Sequence, residues 1–174
     1  MKRFANGGSE AFEMLYARHK QASYHYFLRQ LPRDSALDCH QELWMKLIKS
    51  ARRYKAIGKF TALLYTIAHN VLTDHFRRNR KHLLLDTSAS VEDMQLSGTE
   101  PTAEHQLSHE QLRNLLVSLV EKLPHAQREV FVMREDCGLS VREIAEITGS
   151  NEEGIKSRLR YAMQKLRSGM QNYV

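Results

Sequence analysis

A short stretch of the chain combines positive charge with an aromatic ring. Residues 52–59 read RRYKAIGK, which places Tyr54 among Arg52, Arg53, Lys55 and Lys59. Cations neutralise phosphates, and an aromatic side chain can hold a base that has left its stack. This composition is typical of a loop that contacts opened nucleic acid.

A second group of such residues lies near the end of the chain, on the polar side of a helical segment. Its members are Lys156, Ser157, Arg158, Arg160 and Tyr161. Phosphate neutralisation and base contact in the major groove need these residue types. The alternative is a helical hairpin that has only a solvated polar face and a core of isoleucine and leucine.

Residue types that could perform catalysis do not cluster. The nine histidines are scattered, and only His105 and His109 form a pair at helical spacing. A metal site needs a larger set of ligands than this pair provides. No glycine-rich phosphate loop or nucleophile–base pair is visible either. We therefore expect no catalytic site, no metal and no cofactor.

The charge of the chain is unevenly distributed. The net charge is +6, which favours a polyanionic partner. Residues 1–81 carry 16 basic and 6 acidic side chains, whereas residues 82–109 carry 5 acidic side chains and no Lys or Arg. Two basic regions are therefore predicted to flank an acidic segment.

The cysteine content and the hydropathy predict a cytoplasmic protein. Cys39 and Cys137 are the only cysteines and lie far apart in the sequence. They are expected to be buried, reduced residues without a disulfide. No apolar run has the length of a membrane span, and the N-terminal residues contain no apolar signal segment. We expect no membrane insertion.

Helical spacing of apolar residues predicts an all-α fold. The clearest stripe consists of Phe60, Leu63, Leu64, Ile67, Ala68, Val71, Leu72 and Phe76. A first helix is predicted from Ser9 to the region of Pro32. A second is predicted from about Ser35 to Ala51, with Leu43, Trp44, Leu47 and Ile48 pointing inward.

The C-terminal part of the sequence predicts four short helices. Pro124 and Gly138 end the first two. Ser140 with Glu143, and Ser150 with Glu153, match the S-x-x-E capping box that starts a helix. A small Ala145, a turn at Gly149 and an apolar Ile155 then have the spacing of a helix-turn-helix.

Between these parts the sequence becomes rich in Ser, Thr, Glu, Gly and Pro. Such a composition predicts a flexible linker. We therefore expect two small helical domains, at residues 1–81 and 107–174, joined by an acidic flexible linker at residues 82–106.

The two predicted domains resemble known modules. The C-terminal sequence EKLPHAQREVFVMREDCGLSVREIAEITG, followed by KSRLRYAMQKLR, is similar to region four of extracytoplasmic-function (ECF) sigma factors of bacterial RNA polymerase. The segments SEAFEMLYARH, ALDCHQELWMKL and FTALLYTIAHNVLTDHFRRNRK resemble the three helices of region two, in the same order.

The resemblance implies an alternative sigma factor that binds core RNA polymerase and directs promoter-specific initiation. In region two it assigns core-polymerase binding to Asp38, Gln41, Glu42 and Trp44. It assigns contacts with the minus-ten promoter element to Arg53, Tyr54, Lys55, Asn70, Arg77 and Arg78. Arg80 and Lys81 would add contacts with the promoter backbone.

In region four the resemblance assigns recognition of the minus-thirty-five element to Lys156, Ser157, Arg158, Arg160 and Tyr161. It also implies control by an anti-sigma factor and a role in a stress or envelope response. The alternatives that the residues leave open are a helix-turn-helix regulator that binds operator DNA without polymerase, and a small helical nucleic-acid enzyme. For Asn70, the alternative is a buried amide that is satisfied by the backbone.

Overall fold

The computed structural model describes residues 4, 9–51, 59–85 and 109–171. Its helices are α1 (Ser9–Leu28), α2 (Arg33–Ser50), α3 (Phe60–Leu85), α4 (His109–Glu121), α5 (His125–Glu135), α6 (Val141–Thr148) and α7 (Glu152–Gln171). The described ranges contain no strand, which confirms the all-α prediction. None of the helices in these ranges has the length and apolar character needed to cross a membrane.

Helices α1–α3, here called the N-terminal module, pack against one another around an apolar core. Pro32 separates α1 from α2 and has an extended backbone, with φ −55° and ψ 154°. Proline restricts the residue before it and cannot donate a backbone hydrogen bond, so α1 ends before this position. The largest fully buried side chains of the module are Tyr26, Phe27, Leu43, Leu47, Leu64 and Leu72.

Two residues that the helical spacing placed in this core lie at its edge. Ile48 is 45% exposed, so its predicted inward position is wrong. Phe76 is 37% exposed, and its ring packs on His125 of α5 at a centroid distance of 4.5 Å. The stripe on α3 therefore extends beyond the core of the N-terminal module and ends in a contact with another part of the chain.

Helices α4–α7, here called the C-terminal module, pack mainly on α7. Pro124 precedes α5 with φ −53° and ψ 140°, and it separates α4 from α5 as Pro32 separates α1 from α2. The largest fully buried side chains are Val130, Met133, Leu139, Ile144 and Ile155. The four predicted C-terminal helices are thus confirmed.

The start of α6 is a complete capping box, as predicted. The backbone N–H of Glu143 donates to Ser140 Oγ at 3.2 Å, and the backbone N–H of Ser140 donates to Glu143 Oε2 at 2.8 Å. Gly149 ends α6 with a φ of 65°, a left-handed conformation that glycine adopts without steric cost. These two features define the turn before α7.

The second predicted capping box, at Ser150 and Glu153, is wrong. Helix α7 begins one residue later than that box requires, and Asn151 Oδ1 accepts the backbone N–H of Gly154 at 2.7 Å. Ser150 Oγ instead accepts a hydrogen bond from Arg158. Asparagine is as good an N-cap as serine, so the sequence contained two adjacent candidates and the helix uses the second.

The two modules lie in contact, with α3 packed against α6. The buried side chains of both modules belong to one continuous cluster. Cys39 in α2 is buried and Cys137 after α5 is half-buried, and both thiols are free. The absence of a disulfide agrees with the prediction, whereas complete burial holds only for Cys39. The predicted linker lies almost wholly outside the described residues.

Candidate nucleic-acid interface

The polar residues predicted to bind polymerase lie on α2. Asp38 and Gln41 are exposed, and Glu42 is half-buried. Trp44 is only 5% exposed, and its Nε1–H donates to His40 Nε2 at 2.9 Å. Its ring also packs edge-on against Tyr16. Trp44 therefore supports α2 from within, which agrees with its predicted inward position, and its role in core-polymerase binding stays a prediction.

The sequence reasoning missed an exposed apolar stripe on the same helix. Leu37 is 47% exposed, Met45 56% and Ile48 45%. Together with Gln41 they recur at spacings of three and four residues, which places them on one side of α2. The signal was present in the sequence, because this spacing differs in phase from the buried set around Leu43.

An exposed ion-pair network joins α2 to α3. Glu42 lies 2.8 Å from Lys46 Nζ and 3.1 Å from Arg78 Nη2. Asp74 lies 3.5 Å from Lys46 Nζ and 2.9 Å from Arg77 Nη2. Burial raises the pKa of Glu42, but hydrogen bonds from Lys46 and Arg78 outweigh burial and hold that pKa below its usual value. Arg77 and Arg78, which were predicted to contact promoter DNA, are thus paired with acids.

Asn70 lines an open crevice of about 470 Å³ between α2 and α3. The other residues around this crevice are Lys46, Ser50, Ile67, Thr73 and Asp74. Asn70 is exposed, so the alternative of a buried amide is wrong and its side chain is available to a ligand. Arg53, Tyr54 and Lys55 lie outside the described residues, between the end of α2 and Lys59.

The candidate recognition helix α7 presents two exposed cations and an aromatic ring. Lys156, Arg160 and Tyr161 are exposed. The Arg160 guanidinium lies 5.4 Å from the centroid of the Tyr161 ring, and Lys156 Nζ lies 2.7 Å from Glu153 Oε1. Lys156 and Arg160 are one turn apart, so they lie on the same side of the helix.

The other two residues assigned to this surface are less accessible. Ser157 and Arg158 are half-buried, and Arg158 Nη1 donates to Ser150 Oγ at 3.2 Å. With 3.6 residues per turn, Arg158 lies about 160° around the helix from Lys156. The structure therefore does not bring the five predicted residues to one face, and Arg158 braces the turn instead.

Within the described ranges, no group of three or more His, Cys, Asp or Glu side chains could hold a metal ion. The thiols have no feature of reactive cysteines, because burial raises the pKa of Cys39 to about 11 and that of Cys137 to about 12. The described surface is thus one of cations, amides and apolar side chains.

Two protein families and several known proteins are similar to this chain. The family described as Sigma-70 region 2 matches residues 15–82, and the family described as Sigma-70, region 4 matches residues 113–166. The RNA polymerase sigma factor CarQ of Myxococcus xanthus is 32% identical over 96% of this chain and 93% of its own length. The ECF RNA polymerase sigma-E factor of Haemophilus influenzae is 26% identical over 98% of this chain and 93% of its own.

A solved structure shows the same fold. It contains the sigma factor RpoE in complex with the anti-sigma factor NepR from Bartonella quintana. The TM-score is 0.74 at 20% identity, with 93% of this chain and 98% of that chain covered. The chain belongs to the ECF sigma factors of the sigma-70 family. It is an alternative sigma factor, a protein of transcription initiation.

Proposed function

We propose that the exposed side of α2 is the surface that binds core RNA polymerase. The observation that carries this proposal is the combination of Asp38 and Gln41 with the exposed apolar side chains Leu37 and Met45 on one helix. Exposed apolar groups with a polar rim are typical of protein-binding surfaces. Glu42 contributes less directly, since its carboxylate is already held by Lys46 and Arg78.

Co-purification with core polymerase tests this surface. Met45→Glu should weaken binding at least about tenfold, because it places a charge in a desolvated contact. Met14→Glu is the matched control, since Met14 is 66% exposed on α1. Equal binding by both variants would remove α2 from the interface, and replacement of Asp38 by Lys would then also have no effect.

We infer two sets of promoter contacts, one from the cations near and on α3 and one from those on α7. Asn70, Arg77 and Arg78 on α3 would contact the minus-ten element, together with Arg53, Tyr54 and Lys55 of the preceding loop. Lys156, Arg160 and Tyr161 on α7 would contact the minus-thirty-five element, because a helix-turn-helix places its second helix in the major groove. Around the helix, Ser157 lies between Arg160 and Tyr161, and it would contact the same groove. Arg158 would act by positioning the turn.

An apolar groove on the C-terminal module is the proposed binding site of an anti-sigma factor. The groove has a volume of about 620 Å³ and lies between α4, α5 and α7, with Leu116, Phe131, Met163 and Met170 in its walls. A groove of this kind fits the apolar side of an amphipathic helix, and methionines adapt to such a ligand. The similar Bartonella sigma factor was solved in complex with an anti-sigma factor.

Transcription in cells and with purified components tests this second site. Met163→Glu should free the chain from repression in cells that contain the anti-sigma factor, and it should leave initiation with purified core polymerase unchanged. Loss of activity in the purified system would instead assign the groove to polymerase. Wild-type behaviour in both systems would exclude the groove as a control site.

Family membership favours the sigma factor over a helix-turn-helix regulator that works without polymerase. We further propose that the protein acts in the cytoplasm, without catalysis, and in a stress or envelope response. The division into domains at residues 1–81 and 107–174, joined by residues 82–106, also stays a prediction. Promoter-specific initiation from genomic fragments, with and without core polymerase, is the experiment that separates the two classes.

A further inference from the structure

A buried carboxylate joins the two modules. Glu129 of α5 is 5% exposed. Its Oε1 accepts a hydrogen bond of 2.7 Å from the Tyr26 hydroxyl of α1 and lies 2.7 Å from Nδ1 of His69 in α3. Burial raises the pKa of Glu129, but the hydrogen bonds from His69 and Tyr26 outweigh it, and the pKa of this carboxyl lies below its usual value.

Weaker contacts surround this centre. Lys59 Nζ lies 3.2 Å from Glu143 Oε1, and Arg29 Nε lies 3.8 Å from Asp136 Oδ2. The Arg128 guanidinium donates to the backbone oxygen of Arg29 at 3.3 Å. Because Lys59 and Asp136 are exposed and Arg29 is partly exposed, salt screens these outer pairs. Glu129 is the part of the contact that water and salt reach least.

The contact is also imperfect. The side-chain amide of Gln30 and the side-chain oxygen of Gln127 are buried without a hydrogen-bond partner among the described residues. They are the sequence neighbours of Arg29 and Arg128, which pair across the two modules. A buried polar group without a partner destabilises the arrangement that buries it. Opening that exposes these side chains to water would relieve this cost.

We propose that Glu129, Tyr26 and His69 form an intramolecular latch that holds the free chain in a closed form unable to bind a whole promoter. This inference depends on the proposed promoter contacts. In the closed form Lys59, next to the minus-ten loop, touches Glu143 of the helix-turn-helix. The two promoter elements are about 25 base pairs apart, which is roughly 85 Å of DNA.

The dimensions of the chain support the proposal that the closed form cannot bind both promoter elements at once. The longest helix, α3, has 26 residues and is about 39 Å long. Two modules held together by Glu129 cannot bring α3 and α7 to sites separated by about twice that length. Binding of the promoter therefore needs the open form, and the apparent affinity falls in proportion to the open fraction.

The distance between the modules in the free protein tests the latch directly. Fluorescent labels introduced as noncanonical amino acids at the exposed positions Gln21 and Gln164 leave both native cysteines unchanged. Glu129→Gln keeps the shape but removes the charge that faces His69. It should raise the ratio of open to closed molecules at least about fivefold. Glu135→Gln, an exposed site on the same helix, should leave the distance unchanged.

Transcription with purified core polymerase provides the second measurement. Glu129→Gln should lower the protein concentration needed for half-maximal initiation by about the same factor as it opens the chain. Tyr26→Phe, which removes one hydrogen bond, should act in the same direction with a smaller effect. If circular dichroism shows that the Glu129→Gln variant loses helix, the Tyr26→Phe variant is used in both assays instead.

Two results would overturn the proposal. One is an unchanged distance distribution in both Glu129→Gln and Tyr26→Phe. The other is an open chain whose initiation is no better than that of the wild type. If the wild-type chain fails to start transcription with core polymerase, the proposed function is wrong, and the distance measurement alone then decides whether these residues hold the modules together.

Discussion

The cations of α3 and α7 are held in different ways, although both helices are proposed to contact DNA. Arg77 and Arg78 of α3 are paired with Asp74 and Glu42. Arg160 of α7 stacks on Tyr161, and no ion pair with an acid is found for it in the described part of the chain. When a paired arginine binds a phosphate, it either gives up its carboxylate or keeps that negative charge beside the phosphate, whereas a stacked arginine does neither.

This difference has an energetic consequence. Exposed ion pairs contribute about 0–1 kcal/mol, so the exchange of a carboxylate for a phosphate reduces the net gain at Arg78 by a similar amount. We infer that α7 supplies more binding energy per cation than α3. The acids that pair with these arginines, Asp74 of α3 and Glu42 of α2, in turn limit binding of the N-terminal module to DNA that has no promoter.

Replacement of Arg160 should have the largest effect. Arg160→Ala should cost about 1–3 kcal/mol of binding if the guanidinium reads a base, or lower the salt slope by about one unit if it binds a phosphate. Binding of the polymerase–sigma complex to a promoter at several salt concentrations measures both. Lys165→Ala removes a charge from the other side of α7 and is the control. Equal losses from both variants would show a general charge effect.

Removal of the cap of α7 should have the next largest effect. Asn151→Ala should lower the free energy of unfolding by about 1 kcal/mol, because the N–H of Gly154 loses its acceptor. Ser150→Ala should cost less, since it removes only the contact with Arg158. Urea denaturation of both variants measures the difference. A larger loss of stability from Ser150→Ala than from Asn151→Ala would instead support the capping box predicted at Ser150 and Glu153.

Acidic pH should destabilise the N-terminus of α6. Hydrogen bonds from the backbone and side chain of Ser140, and then Lys59, hold the pKa of Glu143 below its usual value of 4.5. A lowered pKa means that the ionised carboxylate stabilises the fold above about pH 4.5, and that this stability is lost as the pH falls further. The loss should be about 0.3–1 kcal/mol.

Glu143→Gln is the control for this acid effect. Glutamine keeps a hydrogen-bonding group at this position of the capping box but does not titrate. The difference in unfolding free energy between the wild type and this variant should therefore shrink between about pH 5 and pH 3. A difference that stays constant over this range would show that the charge of Glu143 does not stabilise α6.

The smallest effect is expected at Glu42. Glu42→Gln should change the free energy of unfolding by less than about 0.5 kcal/mol, because the pairs that it breaks are exposed. It should also free Arg78 and raise affinity for nonspecific DNA by less than about threefold at low salt. Glu13→Gln makes the same charge change at an exposed position of α1. An equal rise in both variants would exclude a specific role of the pair with Arg78.

Local rules explain the parts of the fold that the sequence predicted well. Pro32 and Pro124 end helices because proline restricts its neighbours wherever it occurs. The capping box at Ser140 and the turn at Gly149 depend on residues only a few positions apart. The all-α class and the order of the helices followed from such patterns, and the family resemblance followed from the motifs that contain them.

The errors have a different origin. Ser150 and Asn151 are both good caps, so the choice between them depended on where α7 packs. Trp44 and Ile48 share one helix, and the way α1 covers α2 decided that Trp44 is buried and Ile48 exposed. Periodicity places a residue on a side of a helix, but it does not show which neighbour covers that side.

The sequence by itself determined seven helices in the described residues, the capping box of α6 and the types of residue available for DNA and protein contacts. Only the tertiary structure decided which of these residues share a face, which cations are already paired, and that Glu129 meets Tyr26 and His69. The physical reason is sequence separation. Glu129 is 103 residues from Tyr26 and 60 from His69, and no local pattern records a contact that forms only when the two modules pack together.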